Sequence, residues 1–270
     1  MSLQKVVLIT GASSGVGQAT ARLLAQKDCR VFGTSRNPAS AEPVANVEML
    51  ALDVRSDASV SACLTAVVDR VGRIDVLVNN AGYELAGALE ETSMEEARDQ
   101  FETNFFGIVR MVSAVLPLMR RQKQGHIINV GSLSGVTSIP FMGFYSASKF
   151  ALEGYSEALR MELEPFNIHV SLTEAGFLKT PMMDKRQVSA ARLAEYDPWR
   201  NRAFSAIRNQ EERGPGPQLA AETILRIISS KTPRLHYLIG PQAKFVSGAK
   251  WFLPEGAYER AKMGNFGLRH

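Results

Sequence analysis

The chain is poor in several features that would fix its class early. Only two of its 270 residues are cysteine, Cys29 and Cys63, and neither has a metal-ligand partner nearby in sequence. That excludes a disulfide framework, predicts no metal site, and suits reduced thiols in a cytoplasmic protein. No apolar run approaches the roughly 18 residues of a membrane span. The opening Met1-Ser2-Leu3-Gln4-Lys5 lacks the apolar region and small-residue cleavage site of a secretory leader and runs directly into a strand. Charge of one sign is not in excess: 31 Lys and Arg stand against 27 Asp and Glu, for a net +4. The densest basic stretch near the middle, Arg120-Arg121-Gln122-Lys123, reads as the solvated end of a helix, so no nucleic-acid partner is expected. Internal repeats and low-complexity tracts are missing too, which excludes a solenoid.

What is present is alternation. Val6-Val7-Leu8-Ile9 is a short, continuous apolar run, the pattern of a strand buried on both faces. Further strands are predicted at 30–34, 47–51, 75–78, 125–130, 168–172 and 235–239. Helical periodicity fills 15–27, 57–71, 93–120, 144–164 and 217–230, with an interruption expected near Asn104 or Gly107. Such β-α-β order predicts a single-domain α/β Rossmann fold over 1–270, a seven-stranded, mostly parallel, doubly wound sheet with helices on both faces. Residues 177–216 depart from it, being polar, charged and weakly periodic with Pro181, Pro198 and Pro215; they are expected to form a flexible lid over a substrate.

Thr10-Gly11-Ala12-Ser13-Ser14-Gly15-Val16-Gly17 joins the first strand to the first helix. A helix N-terminus behind closely spaced glycines offers unpaired N–H groups and close backbone approach to a pyrophosphate. Alone the motif is also consistent with simple turn chemistry; its place after the first strand favours a dinucleotide. Tyr145 and Lys149, four residues apart on a predicted helix, share one face. An ammonium about 4 Å from a phenolate, at an effective dielectric of about 20, is worth roughly 4 kcal/mol, about three pKa units. The pair is therefore expected to hold a phenol lowered toward neutrality, as a general acid/base requires, with burial opposing the shift. Ser132 stands just past the fifth strand, where α/β sheets bind ligands, and its hydroxyl can stabilise charge on a reacting oxygen.

The G-x-x-x-G-x-G spacing, Asn79-Asn80-Ala81-Gly82 after the fourth strand, and Asn104, Ser132, Tyr145 and Lys149 in this order resemble the short-chain dehydrogenase/reductase family. The likeness runs over about residues 5–180, and the stretch from Pro233, with Gly240-Pro241-Gln242-Ala243-Lys244, is loosely similar to hydroxysteroid- and retinol-dehydrogenase-like members. The resemblance implies Tyr145 as proton-transfer residue, Ser132 beside it, Lys149 also on the nicotinamide ribose, and Asn104 holding a water that links this lysine to solvent. For the cofactor it implies Gly11, Ser13, Ser14, Gly15, Val16, Gly17, Asp53, Val54, Asn80, Ala81 and Gly82, with Asp53 at the adenine, and Gly176 and Thr180 near the carboxamide. The family's usual Pro-Gly after the sixth strand is Ala175-Gly176 here.

At the end of the second strand an NAD site usually places an acid, whereas this chain has Ser35-Arg36. A guanidinium and a hydroxyl there favour the 2′-phosphate of NADP(H), though Arg36 is also compatible with an exposed loop charge. Tyr83, Glu84, Leu133, Ser134, Phe141, Met142 and Phe144, with Met182, Met183, Tyr196 and Trp199 on the lid, are candidate pocket walls that suit a hydrophobic ketone, aldehyde or alcohol. The expected protein is an NADP(H)-dependent oxidoreductase of a carbonyl/alcohol pair, forming a homodimer or homotetramer through the helix at 93–120. A 3-oxoacyl thioester reductase and a non-catalytic NADP(H)-binding sensor are the alternatives. The glycine spacing speaks against an epimerase on a related fold.

Overall fold

The computed structural model describes residues 4–269, so the leader reading at the first three residues lies outside the described residues. In chain order the elements are β1 (Lys5–Ile9), α1 (Gly15–Ala25), β2 (Cys29–Ser35), β3 (Val47–Ala51), α2 (Asp57–Val71), β4 (Val76–Asn79) and β5 (Leu85–Ala86). There follow α3 (Met94–Phe101), α4 (Gly107–Gln122), β6 (Gly125–Val130), α5 (Gly143–Leu163), β7 (Ile168–Ala175) and β8 (Gln187–Val188). The chain then forms α6 (Asp197–Arg213), α7 (Gln218–Ser229), β9 (His236–Ile239), α8 (Pro241–Phe252) and α9 (Glu255–Asn265).

Among the described residues the main sheet has seven strands in the order β3-β2-β1-β4-β6-β7-β9, all neighbours parallel. The doubly wound α/β fold expected from the sequence is the one observed. Each face carries its own core. Ile108, Met111, Val115 and Met119 of α4 pack with Leu152 and Leu159 of α5 and Val67 of α2 on one side; Ala21 and Leu24 of α1 pack with Ile224 and Ile227 of α7 on the other. Central strands therefore bury both faces, which is why they read as unbroken apolar runs. The chain proceeds outward from β1 through β2 to β3, then returns to place β4 on the other side of β1. A crevice opens at that reversal, beyond the strands' carboxyl ends.

Local sequence sets the helix ends. In α3, Ser93 Oγ accepts from Glu96 N at 3.2 Å while Glu96 Oε2 accepts from Ser93 N at 2.8 Å, a reciprocal cap. Gly72 ends α2 at φ +71°, left-handed backbone that a glycine takes without strain.

Three differences from the sequence reading have physical causes. First, α3 and α4 are not separated by a break: residues Glu102–Phe106 form a π-helical turn, and Asn104 sits within it. The run Met94–Gln122 is long and apolar enough by composition to cross a membrane, but its apolar stripe packs on the sheet. Second, residues 177–216, expected to form a lid, contain the seventeen-residue helix α6 and the short strand β8, which pairs with β5. The buried positions of α6 are Arg200, Ala203, Ile207 and Glu211. They have helical spacing, yet two are charged, so the stripe is hidden. Arg200 pairs with the buried Glu91 and donates to the Leu193 carbonyl at 3.0 Å, fastening the segment to the body. Third, α8 and α9 follow β9.

Candidate active site

Asn80 brings the glycine turn to the end of β4, while Asn79 ties that strand into the core. Asn80 Nδ2 donates to the carbonyls of Thr10 and Gly11 at 3.0 and 2.9 Å, and the N–H groups of Asn80 and Ala81 both donate to Thr10 Oγ1 at 2.9 Å. Asn79 Nδ2 donates to Asn129 Oδ1, and Asn129 Nδ2 to Ser156 Oγ, each at 2.9 Å, tying β4, β6 and α5 through the core. The turn needs glycine for two different reasons. Gly11 has φ +67°, and a Cβ there would lie 2.9 Å from Ala81 Cα; a Cβ on Gly17 would lie 2.3 Å from the Gly11 carbonyl oxygen. Both close approaches keep the helix N-terminus tight against the strand.

A cavity of about 820 Å³ runs across the carboxyl ends of the strands. At one end it is lined by Gly11, Ser13, Ser14, Gly15, Val16, Ser35, Arg36, Asp53, Val54, Asn80, Ala81 and Gly82. The same cavity is lined by Asn104, Ser132, Tyr145, Lys149, Gly176 and Thr180, with Thr180 next to Gly15 and Asn104 next to Gly82. Of the residues singled out in the sequence, Gly17 is behind this wall, packing the turn. A second concavity, of about 890 Å³ between α2 and α4, holds none of these groups and is lined by side chains such as Leu64, Phe106 and Leu118.

Tyr145 and Lys149 lie in the first two turns of α5, both buried. The Ser132 hydroxyl stands close enough to the phenol to favour its ionised form and accepts from Ser134 N at 3.1 Å. Lys149 Nζ donates to the Val130 carbonyl at 2.9 Å and stands 5.9 Å from the centroid of the Tyr145 ring. The electrostatics correct the sequence expectation. Burial pushes the Tyr145 phenol above its ordinary value, Glu84 adds to the rise, and Ser132 only partly offsets it. The same burial pulls the Lys149 ammonium down to about 8. Desolvation and the nearby carboxylates outweigh the opposing pull of Ser132 and Arg186, so this phenol holds its proton through the neutral range.

Asn104 is buried in the π turn. Its Oδ1 accepts from Tyr83 N at 3.0 Å and its Nδ2 donates to the Tyr83 carbonyl at 2.9 Å. Both ends of the amide thus hold the chain just past Asn-Asn-Ala-Gly. Asp53 accepts from Arg55 N at 3.0 Å and from Arg55 Nε and Nη2 at 3.1 and 2.9 Å. Arg55, which the sequence reading passed over, joins Arg36 as a second guanidinium lining this end. On the same wall, Ser35 Oγ is buried without a hydrogen-bond partner, and so is Thr34 Oγ1. A glycine cradle at a helix N-terminus, orphaned hydroxyls and two guanidinium groups are donors suited to a phosphorylated dinucleotide.

On the substrate side, Tyr83, Glu84, Leu133, Ser134, Met142 and Met182 line the cavity. Phe141 instead packs edge-on against Tyr196 and Phe204, at 6.1 and 6.3 Å between ring centroids, and the Arg202 guanidinium lies 5.1 Å over the Trp199 ring. One feature was invisible in the sequence. Arg186, beside β8, donates to Glu84 Oε2 through Nε at 2.8 Å and through Nη2 to Glu211 of α6. Glu211 Oε2 is buried and unpaired, and burial with Glu84 nearby moves this carboxyl up to about 7, despite the opposing pull of Arg186.

The comparisons agree with this geometry. The short chain dehydrogenase family model matches residues 5–190. The chain belongs to that family. The short-chain dehydrogenase is 42% identical to a 3-ketodihydrosphingosine reductase of Bacteroides thetaiotaomicron, over 95% of this chain and 96% of that protein. It is 40% identical to retinol dehydrogenase 8 of Homo sapiens, over 86% and 80% of the two chains. A solved short-chain dehydrogenase from Streptomyces avermitilis superposes with a TM-score of 0.81 at 32% identity, covering 99% and 97%. The protein is thus an oxidoreductase of the hydroxysteroid- and retinol-dehydrogenase type, acting on a carbonyl/alcohol pair with a nicotinamide cofactor.

A cluster of titratable groups begins one turn along α5 from Lys149, and its Glu153 and that lysine influence each other's charge. Glu153, one turn after Lys149, faces Glu174 of β7, and His236 Nδ1 lies 3.0 Å from Glu174 and 3.6 Å from Glu153. Burial first, and Glu174 second, raise the Glu153 carboxyl from 4.5 to about 8. A raised folded-state pKa means the native chain keeps this proton while the unfolded chain loses it. Stability is therefore lost as pH climbs from about 4.5 to 8. Glu153→Gln keeps the shape and polarity of the side chain but cannot ionise. Its melting temperature should exceed the parent's by a margin that widens from pH 5 to 8 and then levels, at about 2–4 °C per kcal/mol. Thermal unfolding across that range checks it; a margin independent of pH would refute the assignment.

Proposed function

We propose that this short-chain dehydrogenase is an NADP(H)-dependent reductase of a hydrophobic ketone or aldehyde, working through Asn104, Ser132, Tyr145 and Lys149. The observation that carries the reading is the convergence of Tyr145, Ser132 and Lys149 with the glycine turn and Ser35-Arg36 on one cavity. The turn at Gly11 to Gly17, with Asn80, Ala81 and Gly82, would hold the dinucleotide; Ser35 and Arg36 would take the 2′-phosphate, and Lys149 the nicotinamide ribose. When bound, the cofactor supplies or accepts the hydride. Ser132 and Tyr145 hold the substrate oxygen, and Tyr145 Oη gives that oxygen its proton in reduction and recovers it in oxidation. Leu133, Met142 and Met182 provide apolar wall, which excludes water from the proton exchange. The ketone acted on by the Bacteroides relative supports a carbonyl on an apolar chain.

The test is consumption of NADPH against a panel: medium- and long-chain ketones and aldehydes, retinal, a steroid ketone, and a 3-oxoacyl thioester. Turnover of the free hydrophobic carbonyls is expected. Preference for the thioester would replace this reading with the acyl-thioester one, and tight NADPH binding without any turnover would leave a sensor.

A further inference from the structure

Beyond β9 the surface changes character. Phe245, Trp251 and Phe252 of α8 are 76%, 85% and 89% exposed, with Leu253 beside them at 45%. Isolated exposed apolar residues are ordinary, but several large ones on one short helix mark a surface that meets something. Lys244, Phe245, Trp251 and Phe252 fall at helical spacing, so a lysine shares the aromatic face. The opposite side of α8 turns inward: Ala243 is buried, and Val246 and Ala249 line the active-site cavity, as do Phe245 and Leu253 at its edge. Over residues 241–269 the chain carries Lys244, Lys250, Arg260, Lys262 and Arg269 against Glu255 and Glu259. Lys250 also sits 5.4 Å over the ring of the exposed Phe150, adding a further cation–aromatic pair next to the patch.

Aromatic side chains amid an excess of lysine and arginine are the composition of a helix lying in a lipid headgroup layer. A second protein chain fits less well, because lysine is depleted at the centres of protein interfaces, whereas Lys244 stands on the aromatic face itself. We propose that α8 docks this protein on an anionic membrane surface, with Phe245, Trp251 and Phe252 in the headgroup region and Lys244 with its basic neighbours on the phosphates. Because α8 is also a wall of the cavity, docking brings the site against the layer in which a hydrophobic carbonyl would reside. The inference goes beyond the reductase reading, and its test does not need that reading to hold.

The experiment is co-sedimentation of the full chain with vesicles of phosphatidylcholine mixed with phosphatidylglycerol, and with phosphatidylcholine alone. Binding to the anionic vesicles is expected, weaker by at least about tenfold on the neutral ones and reduced by high salt. W251S/F252S should lose about tenfold or more of the vesicle affinity. The double variant should reduce a water-soluble ketone as the parent does, since neither side chain lines the cavity. No co-sedimentation, or equal binding by parent and double variant, overturns the proposal. So does a double variant that shrinks in light scattering while the parent ignores vesicles, because the face would then join copies of the chain. If no ketone is ever consumed, the vesicle result still stands or falls alone.

Discussion

Tyr145→Phe is expected to lower ketone reduction by about 10²–10⁴-fold while NADPH binding changes little. The substitution removes one oxygen from a side chain that is already 93% buried by neighbours that stay in place, since Tyr145 itself is 7% exposed. The ring keeps its packing against Ala86, Met142 and Ile207. What disappears is the phenolic oxygen, and with it the proton donor. Single-turnover reduction and NADPH fluorescence titration separate the two effects; retention of more than about a tenth of parent turnover would remove Tyr145 from the mechanism. The pH profile carries the same signature. Reduction requires the protonated phenol, and burial with Glu84 raises its proton affinity. The parent's kcat/KM for the ketone should therefore stay level through the neutral range and fall only in base.

Arg36→Ala should reduce kcat/KM for NADPH by roughly tenfold to a hundredfold and leave NADH nearly unaffected, since a charge-assisted bond to phosphate is worth about 1.5–3 kcal/mol. Arg36 is exposed at the mouth of the cavity, so its loss disturbs no packing. Arg55 remains on the same wall, held at 2.9 Å by Asp53, and sets the floor of the effect. A parent enzyme that preferred NADH, or a variant that lost both cofactors alike, would withdraw the NADP(H) assignment.

The central strands were legible because they are buried on both faces and therefore apolar without a break, as Val76-Leu77-Val78 shows. The candidate tetrad was legible through motif order, which needs no geometry. What escaped has a common cause: its pattern exists only after folding. Helix α6 hides because Arg200 and Glu211 occupy its inward positions and find their partners, Glu91 and Arg186, on distant segments. Helix α8 hides because its largest apolar side chains face outward. The π turn around Asn104 has no residue signature of its own. The direction of the Tyr145 shift depends on how completely neighbours exclude water, and a Tyr-x-x-x-Lys spacing does not encode that.

Arg186 joins an acid from the shelf after β4 to one from α6, so a single cation latches the roof of the reaction chamber to its floor. Without that guanidinium the Glu84 and Glu211 carboxylates would face each other with no shared cation, so the hold between the two segments rests on one side chain.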